Sequence, residues 1–582
     1  MKKNFYFLLL LLASFFVSIQ AADTFYVNPF AENTSDDNAG TESAPWATLN
    51  PGKWTDGCTV VIQSLVFLDV AQSISIPCNV TLIGEESEDA LPIILGYDDS
   101  EEVPSECQRF FNVSDGKTIT IKNLEIANMN SSDGAAGWGG IFNVDVNSTL
   151  NLENVSIRNV FLGGATGGGA IWVGGKLNCK NVLFENCVSR QGGAVFINGN
   201  SPVSFEGCTF KNNSCGDIDD YKMGGAVCID VADQANVTFD KCYFDSNICQ
   251  HIDKYPAGGA IYLRGANPKV YISNSTFYNN DGGSAGGAFN FQRVEQDENQ
   301  NIDIRFINNV FTRNKLSYNA AHHGIVINFS WGSYDKIGGT VAFVNNTFYK
   351  NFTDNAVQSS LFMNSLPVDL VVANNIVLDK NGELGFGLVF NEENQIAFKS
   401  TKVQSNIMDA GFGGSRLPSF DAAVQDESNK ADLSNEDVKL SEELIIPAIG
   451  TPYLALNEGS VAIDAGVNSV SVGGGNIVPN FDIRGAEMVG GHKDVGAYEY
   501  GGVVGIEKTE RETMVLAYPN PFVDVIYLAT EAARVNVFDM AGVCLISETV
   551  VTKINTSALN PGFYIVQIID NAGNVSSRIM WK

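Results

Sequence analysis

The fold is decided by a six-residue unit, Gly192-Gly193-Ala194-Val195-Phe196-Ile197, in which Gly-Gly-Ala precedes an apolar strand. The unit occurs five times, beginning at Gly168, Gly192, Gly224, Gly258 and Gly286. A second unit alternates with it, an aromatic residue followed by polar residues that end in Asn, as in Phe210-Lys211-Asn212. Two units that alternate in a constant order indicate a repeat architecture.

The aromatic position can be followed through ten coils at a mean spacing of about 31 residues, within the range of solenoids. Its members are Ile126, Ile157, Phe184, Phe210, Phe244, Phe277, Phe311, Phe348, Val377 and Met408. The neighbouring strands alternate apolar and polar residues with period two, which is typical of β structure. We therefore predict an all-β chain, a right-handed parallel β-helix with an internal Phe ladder. We expect glycine corners and trailing Asn residues in left-handed turns or stacked as an amide ladder.

These units resemble the repeats of chlamydial polymorphic outer membrane proteins and of many secreted bacterial β-helix proteins. The segment from Phe25 to Leu49 is similar to the N-terminal segment of such proteins, and we expect residues 22–57 to cap the first coil. The helix itself is predicted over 58–410. The resemblance implies a fold and no particular activity, because this scaffold carries lyases, hydrolases and adhesins alike.

Composition excludes several classes of protein. The chain has 582 residues with 57 Gly, 45% hydrophobic residues and a formal charge of −30. So many apolar residues exclude wholesale disorder. An acidic surface without a basic stripe repels phosphate, so we expect no nucleic-acid partner.

The first 21 residues predict a secretory signal peptide, with Lys2 and Lys3, an apolar run from Phe5 to Val17, and small residues at Ala21 and Ala22. The alternative, an uncleaved anchor, is disfavoured because the run is short for a membrane span. We expect no transmembrane helix in the mature chain and an extracellular or outer-surface location.

Residues 411–500 resemble the choice-of-anchor module that ends many bacterial surface β-helices, and a linker is predicted over 501–512. The acids Asp464, Asp482 and Asp494 in this module could form a metal or catalytic site. We favour a cap in which Arg484 pairs with one or more of them and closes the C-terminal end of the core.

The last unit, 513–582, is predicted to be a small β-sandwich with alternating apolar strands and Gly turns. It closely resembles the C-terminal sorting domain of the type IX secretion system of Bacteroidetes. The motif residues are Tyr518, Pro519, Asn520, Pro521, Gly562 and Tyr564. The resemblance implies the type IX machinery as a partner, export across the outer membrane, removal of the domain and often attachment to surface lipopolysaccharide.

Eleven cysteines are present, and the pairs Cys208/Cys242 and Cys215/Cys249 share an offset of 34 residues. The members of each pair should therefore stack on adjacent coils at a spacing compatible with a disulfide bond. A ladder of buried free thiols is the alternative, and both remain open.

One loop pair is the predicted ligand site. Its residues are Asp217, Asp219, Asp220, Tyr221 and Lys222, with His251 and Asp253 opposite Asp217 and Asp219 one coil on. Acids beside a base and a tyrosine could bind Ca²⁺, the one cofactor we consider, or a sugar. A solvated loop without function is the bland alternative.

Two functions follow as hypotheses. The first, which we prefer, is a secreted or surface adhesin or glycan-binding β-helix whose long side faces present polar ladders and aromatic loops to a polysaccharide or a host surface glycan. The second is a polysaccharide lyase or another carbohydrate-active enzyme. A lyase that acts on acidic polymers would need cations, because a chain of this charge repels such substrates.

Overall fold

The computed structural model describes residues 23–68, 73–85, 91–96, 109–131, 137–164, 167–215, 223–249, 256–293, 300–317, 324–329, 337–353, 361–364, 368–379, 386–389, 399–409, 412–413, 426–472, 475–487, 489–504, 517–518, 522–539, 544–560, 562–569 and 575–582. The chain forms two compact units, 1–503 and 504–582. The predicted signal peptide lies outside the described residues.

The first unit is a parallel β-helix, as predicted. Most of its strands belong to a 25-stranded parallel sheet, called sheet 1. The strands of sheet 1 are Thr24–Val27, Cys58–Ile62, Val66–Phe67, Val80–Gly84, Ile93–Leu95, Thr118–Ser131, Thr149–Leu162, Lys176–Lys180, Leu183–Ser189, Val203–Glu206, Thr209–Lys211, Ser214–Cys215, Asn236–Asp240, Tyr243–Asp245, Ile248–Cys249, Lys269–Ser273, Thr276–Tyr278, Gln300–Ile307, Val310–Thr312, Ile337–Val344, Thr347–Tyr349, Asp369–Ala373, Ile376–Leu378, Ser400–Gln404 and Ile407–Met408.

A second parallel sheet of twelve strands, called sheet 2, forms another wall of the helix. Its strands are Ile74–Ser75, Phe111–Val113, Phe142–Val144, Ile171–Val173, Val195–Ile197, Val227–Val231, Ile261–Gly265, Phe289–Arg293, Ile327–Phe329, Leu361–Asn364, Phe386–Val389 and Phe412–Gly413. Two short strand pairs, Lys315–Leu316 with Phe352–Thr353 and Ser471–Val472 with Gly475–Asn476, complete the sheets of this unit. The described helices are a 3₁₀ turn, Pro51–Lys53, and a short α-helix, Asn435–Val438.

The predicted aromatic column is confirmed as the centre of the core. All ten positions pair in register from Ile126 to Met408. The six Phe rings are fully buried, and each stacks on the next with centroids 4.5–5.0 Å apart. One coil cannot bury such a face alone, so stacking supplies most of the hydrophobic stabilisation.

The two glycines of each corner are required for different reasons. Gly192 has φ of 59°, which side chains rarely tolerate, and the equivalent first glycines of the other four corners share this conformation. Gly193 has an ordinary φ, but a Cβ there would lie 2.2 Å from the carbonyl oxygen of Gly225 on the next coil. Close stacking of coils therefore excludes a side chain at the second position.

Asn residues form ladders, but the inner ladder lies one residue further along than the prediction in several coils. Asn186, Asn212 and Asn279 adopt the left-handed turn, whereas Asn247 is preceded by Ser246 in that conformation. The inner ladder occupies the third position after the ladder Phe, and each Nδ2 donates to the next Oδ1 at 2.9–3.0 Å. Its Asn members are Asn213, Asn247, Asn280, Asn314 and Asn351, and the ladder ends at Asp379, two residues after Val377.

The segment 426–502, called the return segment, contains most of the predicted end cap. Residues near Asn429 do lie on the last coil, where Asn406 donates to Asn429 Oδ1 at 2.9 Å. The rest packs along the side of the helix, where Ala497 N donates to Thr347 Oγ1 at 3.1 Å and Val467 N to Asn374 Oδ1 at 2.9 Å. Most of the described contacts of this segment therefore lie along the side of the helix, and its role as a cap over the end of the core stays a prediction. The cause is that several outer side chains of the later coils are apolar and need cover.

The second unit is one antiparallel sheet of five strands, Ala517–Tyr518, Val525–Asp539, Cys544–Asn555, Phe563–Ile569 and Val575–Trp581. The predicted sandwich becomes a single connected sheet because the 15-residue strand Val525–Asp539 pairs with three others along its length. Its own core includes Phe522, Ile526, Val537 and Val566.

Candidate functional site

The predicted loop site lies outside the described residues. This applies to Asp217, Asp219, Asp220, Tyr221, Lys222, His251 and Asp253. The strands on both sides of the two loops are described, and Cys215 pairs with Cys249 before them and Met223 with Ala257 after them. Both pairs keep the 34-residue offset on which the alignment of Asp217 with His251 was based. A ligand site in these loops stays a prediction.

The described part of the helix carries a groove of about 490 Å³ on the outer face of sheet 1. We call it the open groove. Strands from five successive coils form its floor, so its length follows the helix axis. Its polar lining consists of Thr120, Lys122, Asn151, Glu153, Asn178, Lys180, Ser204, Glu206, Thr238 and Asp240.

A column of hydroxyl and amide side chains runs along this face. In-register pairing places one member on each of eight consecutive coils: Thr24, Thr59, Thr81, Thr120, Asn151, Asn178, Ser204 and Thr238. Asn151 Nδ2 donates to Thr120 Oγ1 at 3.1 Å, and Asn178 Nδ2 donates to Asn151 Oδ1 at 2.7 Å. Each amide has a second N–H and a second lone pair, so the column can bind a ligand without losing these bonds.

Charged side chains flank that column and alternate in sign from coil to coil. Lys122, Glu153, Lys180 and Glu206 follow one another, and Lys122 Nζ lies 2.7 Å from Glu153 Oε2. Arg158, Glu185, Lys211 and Asp245 form a parallel row with the opposite phase, joined by the Lys211–Glu185 pair at 3.0 Å. Such half-exposed pairs add little stability. They leave the groove with two lysines against three carboxylates, a nearly neutral strip on an acidic protein.

Beyond the groove, the same column continues through an aromatic and charged cluster. Arg305 forms a fork to Asp303 at 2.7 and 2.9 Å and lies 5.1 Å from the centre of the Tyr271 ring. The Tyr271 hydroxyl donates to Asp303 at 2.6 Å. Burial, together with the Asp303 carboxylate, raises the pKa of Tyr271 to about 12. The phenol therefore stays protonated at neutral pH and acts as a hydrogen-bond donor.

The return segment covers the next part of the same face. There the column consists of Ala342 and Val371, which pack with Val470, Ile477 and Val478. The coils of Tyr271 and Arg305 therefore separate the open groove from the part of sheet 1 that the return segment covers.

Arg484 in the return segment pairs with one of its three predicted partners. It contacts Asp482 at 2.7 Å and stacks 3.8 Å from the ring centre of Tyr498. Asp494 instead accepts the backbone N–H of Asp464 at 2.8 Å. Burial raises the pKa of Asp494 and of Glu499.

The acids of the return segment do not gather into a metal centre in this structure. In the described ranges, no group of three His, Cys, Asp or Glu side chains is placed to hold a metal ion.

The predicted cysteine pairs do stack on adjacent coils. Cys215 donates to Cys249 Sγ at 3.1 Å, and Cys208 and Cys242 are in register two residues before the ladder Phe. No disulfide bond joins the ten cysteines that the structure describes. Oxidation of these pairs therefore remains a prediction.

The sequence predicts polar ladders on the long side faces of the helix, and the open groove is such a face, but its residues were not among the predicted site residues. Thr118-Ile119-Thr120, Thr149-Leu150-Asn151 and Lys176-Leu177-Asn178 place a polar residue at the same outward position in successive coils. The predicted site residues are acids, bases and a tyrosine in loops. Neutral side chains on a strand face have no distinctive chemistry that would identify them as a site in the sequence.

The second unit holds the remaining predicted motif residues. Tyr564 is buried and its hydroxyl donates to the Asn560 carbonyl at 2.6 Å, while Gly562 exchanges two backbone hydrogen bonds with Lys582. Tyr518 lies in the first strand of this sheet, and Pro519, Asn520 and Pro521 lie outside the described residues.

Comparison with known proteins identifies this second unit. Residues 516–582 match the family described as secretion system C-terminal sorting domain. No curated protein and no solved structure matches the chain. None of the helices described here is long and apolar enough to cross a membrane. The sorting domain marks proteins that the type IX secretion system delivers to the extracellular or cell-surface space, so this chain is a parallel β-helix protein exported by that system.

Proposed function

We propose that this exported β-helix binds a polysaccharide along the open groove and acts as an adhesin or glycan-binding protein. The observation that carries the proposal is the column of eight hydroxyl and amide side chains, one per coil, on a face that the return segment leaves uncovered. Neighbouring coils are about 4.8 Å apart. A polymer aligned with the helix axis would therefore meet the same chemistry at each successive coil.

The side chains in this column suit sugar hydroxyls. Hydroxyls and primary amides both donate and accept hydrogen bonds, as sugar hydroxyls do. Thr120, Asn151, Asn178 and Ser204 are half-buried, so their polar atoms are held by neighbours and still reach solvent. A pre-arranged row of this kind loses little side-chain entropy when it binds a ligand.

The charge of the groove indicates which polymers it would accept. Lys122 and Lys180 are offset by Glu153, Glu206 and Asp240, and the whole chain carries −30. No positive strip is available here to pair with a row of uronate carboxylates. A neutral polysaccharide therefore fits this groove better than an acidic one.

The test is a calorimetric titration of the exported protein with soluble neutral polysaccharides and with uronic-acid polymers. We expect a neutral polymer to bind, with affinity that rises with oligosaccharide length over the span of the groove. The double variant Asn151→Ala/Asn178→Ala should weaken binding at least fivefold, since each lost hydrogen bond is worth about 1 kcal/mol. Asn200→Ala, at an exposed residue outside the groove lining, is the matched control and should bind like the wild type.

Three outcomes would count against the proposal. If the double variant bound as tightly as the wild type, the ligand would have to bind to another surface, such as the loops around Asp217 and His251. Preference for uronic-acid polymers would refute the charge argument. Release of an unsaturated product that absorbs in the near ultraviolet would show that the protein is a lyase and not only a binding protein.

A further inference from the structure

Among the described residues, side-chain hydrogen bonds join buried cysteines of neighbouring coils in three pairs. The pairs are Cys58 with Cys78, Cys208 with Cys242, and Cys215 with Cys249. The sorting domain sends this chain to the extracellular or cell-surface space. Disulfide bonds form and persist in such compartments. Adjacent thiols in this protein are therefore candidates for oxidation, and their surroundings distinguish them.

Cys215 and Cys249 directly face each other across two parallel strands, Ser214–Cys215 and Ile248–Cys249. The Cys215 thiol donates to Cys249 Sγ at 3.1 Å. Cys215 retains 5% exposure at the end of its strand, so an oxidant can approach from that side. Bond formation requires the two sulfurs to move together by about 1 Å, since a disulfide measures about 2.05 Å.

Cys58 and Cys78 form a second pair in which one member, Cys78, keeps some exposed surface, and the sequence did not indicate it. The Cys78 thiol donates to the carbonyl oxygen of Thr55 at 3.4 Å. A side-chain hydrogen bond joins the two sulfurs. Asp56 Oδ1 links the two coils, because it accepts hydrogen bonds from the backbone and side-chain N–H groups of Asn79, both at 2.9 Å. Cys78 is 8% exposed, so this pair also lies close to the surface.

Cys208 and Cys242 differ from both pairs although they are in register. Neither has any exposed surface. Their thiols also approach backbone carbonyls, Cys208 that of Glu206 at 3.5 Å and Cys242 that of Asp240 at 3.4 Å. Attack on an oxidant needs an accessible thiolate, and neither cysteine of this pair reaches the surface.

We propose that Cys58–Cys78 and Cys215–Cys249 become disulfide staples between adjacent coils after export, while Cys208 and Cys242 remain thiols. The oxidant is a disulfide-bonded protein or small molecule. One cysteine thiolate attacks it, a mixed disulfide forms, and the second thiolate displaces the oxidant as a thiolate. Each staple loses two protons and two electrons, and the oxidant is reduced to its dithiol.

The Cys215–Cys249 staple has a consequence for the predicted loop site. It joins the residues immediately before the two loops, and the Met223–Ala257 pairing joins them immediately after. Both loops would then be held at both ends with the 34-residue offset. The staple would thus be a positioning device for the loops that contain Asp217 and His251.

The experiment is peptide mapping of the full-length exported protein, collected without reductant and alkylated with N-ethylmaleimide after denaturation. We expect two cross-linked peptide pairs, Cys58–Cys78 and Cys215–Cys249, and alkylated Cys208 and Cys242. Full alkylation of every cysteine in the exported protein would overturn the proposal. A Cys208–Cys242 cross-link would overturn the argument from accessibility.

Variants separate the staple from its packing role. The melting temperature of the wild type should fall by several degrees in dithiothreitol, because an open staple frees the unfolded chain. Cys58→Ser/Cys78→Ser/Cys215→Ser/Cys249→Ser should melt at the same temperature with and without reductant. Cys208→Ser/Cys242→Ser is the matched control and should keep the full reductant-dependent shift. A wild type that is insensitive to reductant would contradict the staples.

Discussion

The outer face of sheet 1 has two halves that share one repeat and differ in chemistry. In the earlier coils the outward column is polar and open, with Asn151, Asn178 and Ser204. In the later coils the same column carries Ala342 and Val371, which the return segment covers. The inner Phe column runs unchanged through both halves. The inner face therefore determines the fold, and the outer face determines what each half can contact.

The covered half resembles the interface of a small domain, whereas the open half resembles a binding surface. Val371 is 2% exposed and packs in a cluster with Val470 and Val478. Exposed apolar strands would invite aggregation, and the return segment removes that hazard. The open half needs no cover because its hydroxyl, amide and charged side chains are stable in water.

The largest expected effect tests whether the inner column is shared by both halves. Phe210→Ala in the open half and Phe348→Ala in the covered half should each lower the free energy of unfolding by about 3–5 kcal/mol, since both rings are fully buried. Urea denaturation followed by circular dichroism measures both. A cost below about 1 kcal/mol for either one would show that the halves do not share one core.

A matched pair of charges should separate the halves. Ser204 and Val371 occupy the same outward column, so Ser204→Asp and Val371→Asp introduce the same carboxylate on the two halves. Val371→Asp should cost roughly 3–5 kcal/mol because it buries an unpaired charge. Ser204→Asp should change stability by less than about 1 kcal/mol.

The protease sensitivity of the return segment provides a second measurement for the Ser204→Asp and Val371→Asp variants. Limited proteolysis should cut between residues 467 and 478 in the Val371→Asp variant and not in the Ser204→Asp variant. Equal resistance of the two variants would contradict the assignment of the return segment as a cover.

The smallest expected effect is a pH dependence confined to the covered half. Asp494 and Glu499 lie in the return segment, are 2% and 3% exposed, and have pKa values raised chiefly by burial. A raised carboxyl pKa means that the folded state binds protons more tightly than the unfolded chain. Their contribution thus favours folding at pH below the ordinary carboxyl pKa near 4 and is lost as pH rises through the raised values.

The measurement is the unfolding free energy between pH 4 and pH 7 for the wild type and for Asp494→Asn. The variant keeps one oxygen, which can accept the N–H group of Asp464, but it replaces the oxygen that accepts the N–H group of Tyr500 by an amide NH₂ and loses the titrating carboxyl. It should therefore show a smaller decrease with rising pH, by less than about 1 kcal/mol over this range. An unchanged slope would remove Asp494 as the cause, and Ser204→Asp serves as a control from the open half.

The sequence predicted the core better than the surface. The prediction of the column from Ile126 to Met408 was correct at all ten positions, because every coil needs a buried apolar side chain at this place. The inner amide ladder was misplaced in the coils of Phe210 and Phe277, where two Asn residues follow each other and the first occupies the left-handed turn. Only the conformation of each turn decides which amide points inwards.

Contacts between distant segments were beyond the sequence for a different reason. The pairing of Arg484 with Asp482 is local, two residues apart, and was among the predicted partners. Val470 and Val478 pack on Val371 because the outer faces of these coils are apolar. Such a face is a property of the assembled coils and not of any motif. The Cys58–Cys78 contact likewise has no repeat offset that a search could detect.

By itself, the sequence determined a parallel β-helix and a sorting domain, since both follow from local patterns: Gly corners, a period-two strand, and a motif order that the second unit keeps. The tertiary structure alone decided the outer surface. Stacking converts single polar residues about 30 positions apart into a continuous column, and packing of the return segment selects the half of that column that stays open. Function is proposed for the open half, because a surface of this kind exists only after residues from many coils have been brought into register.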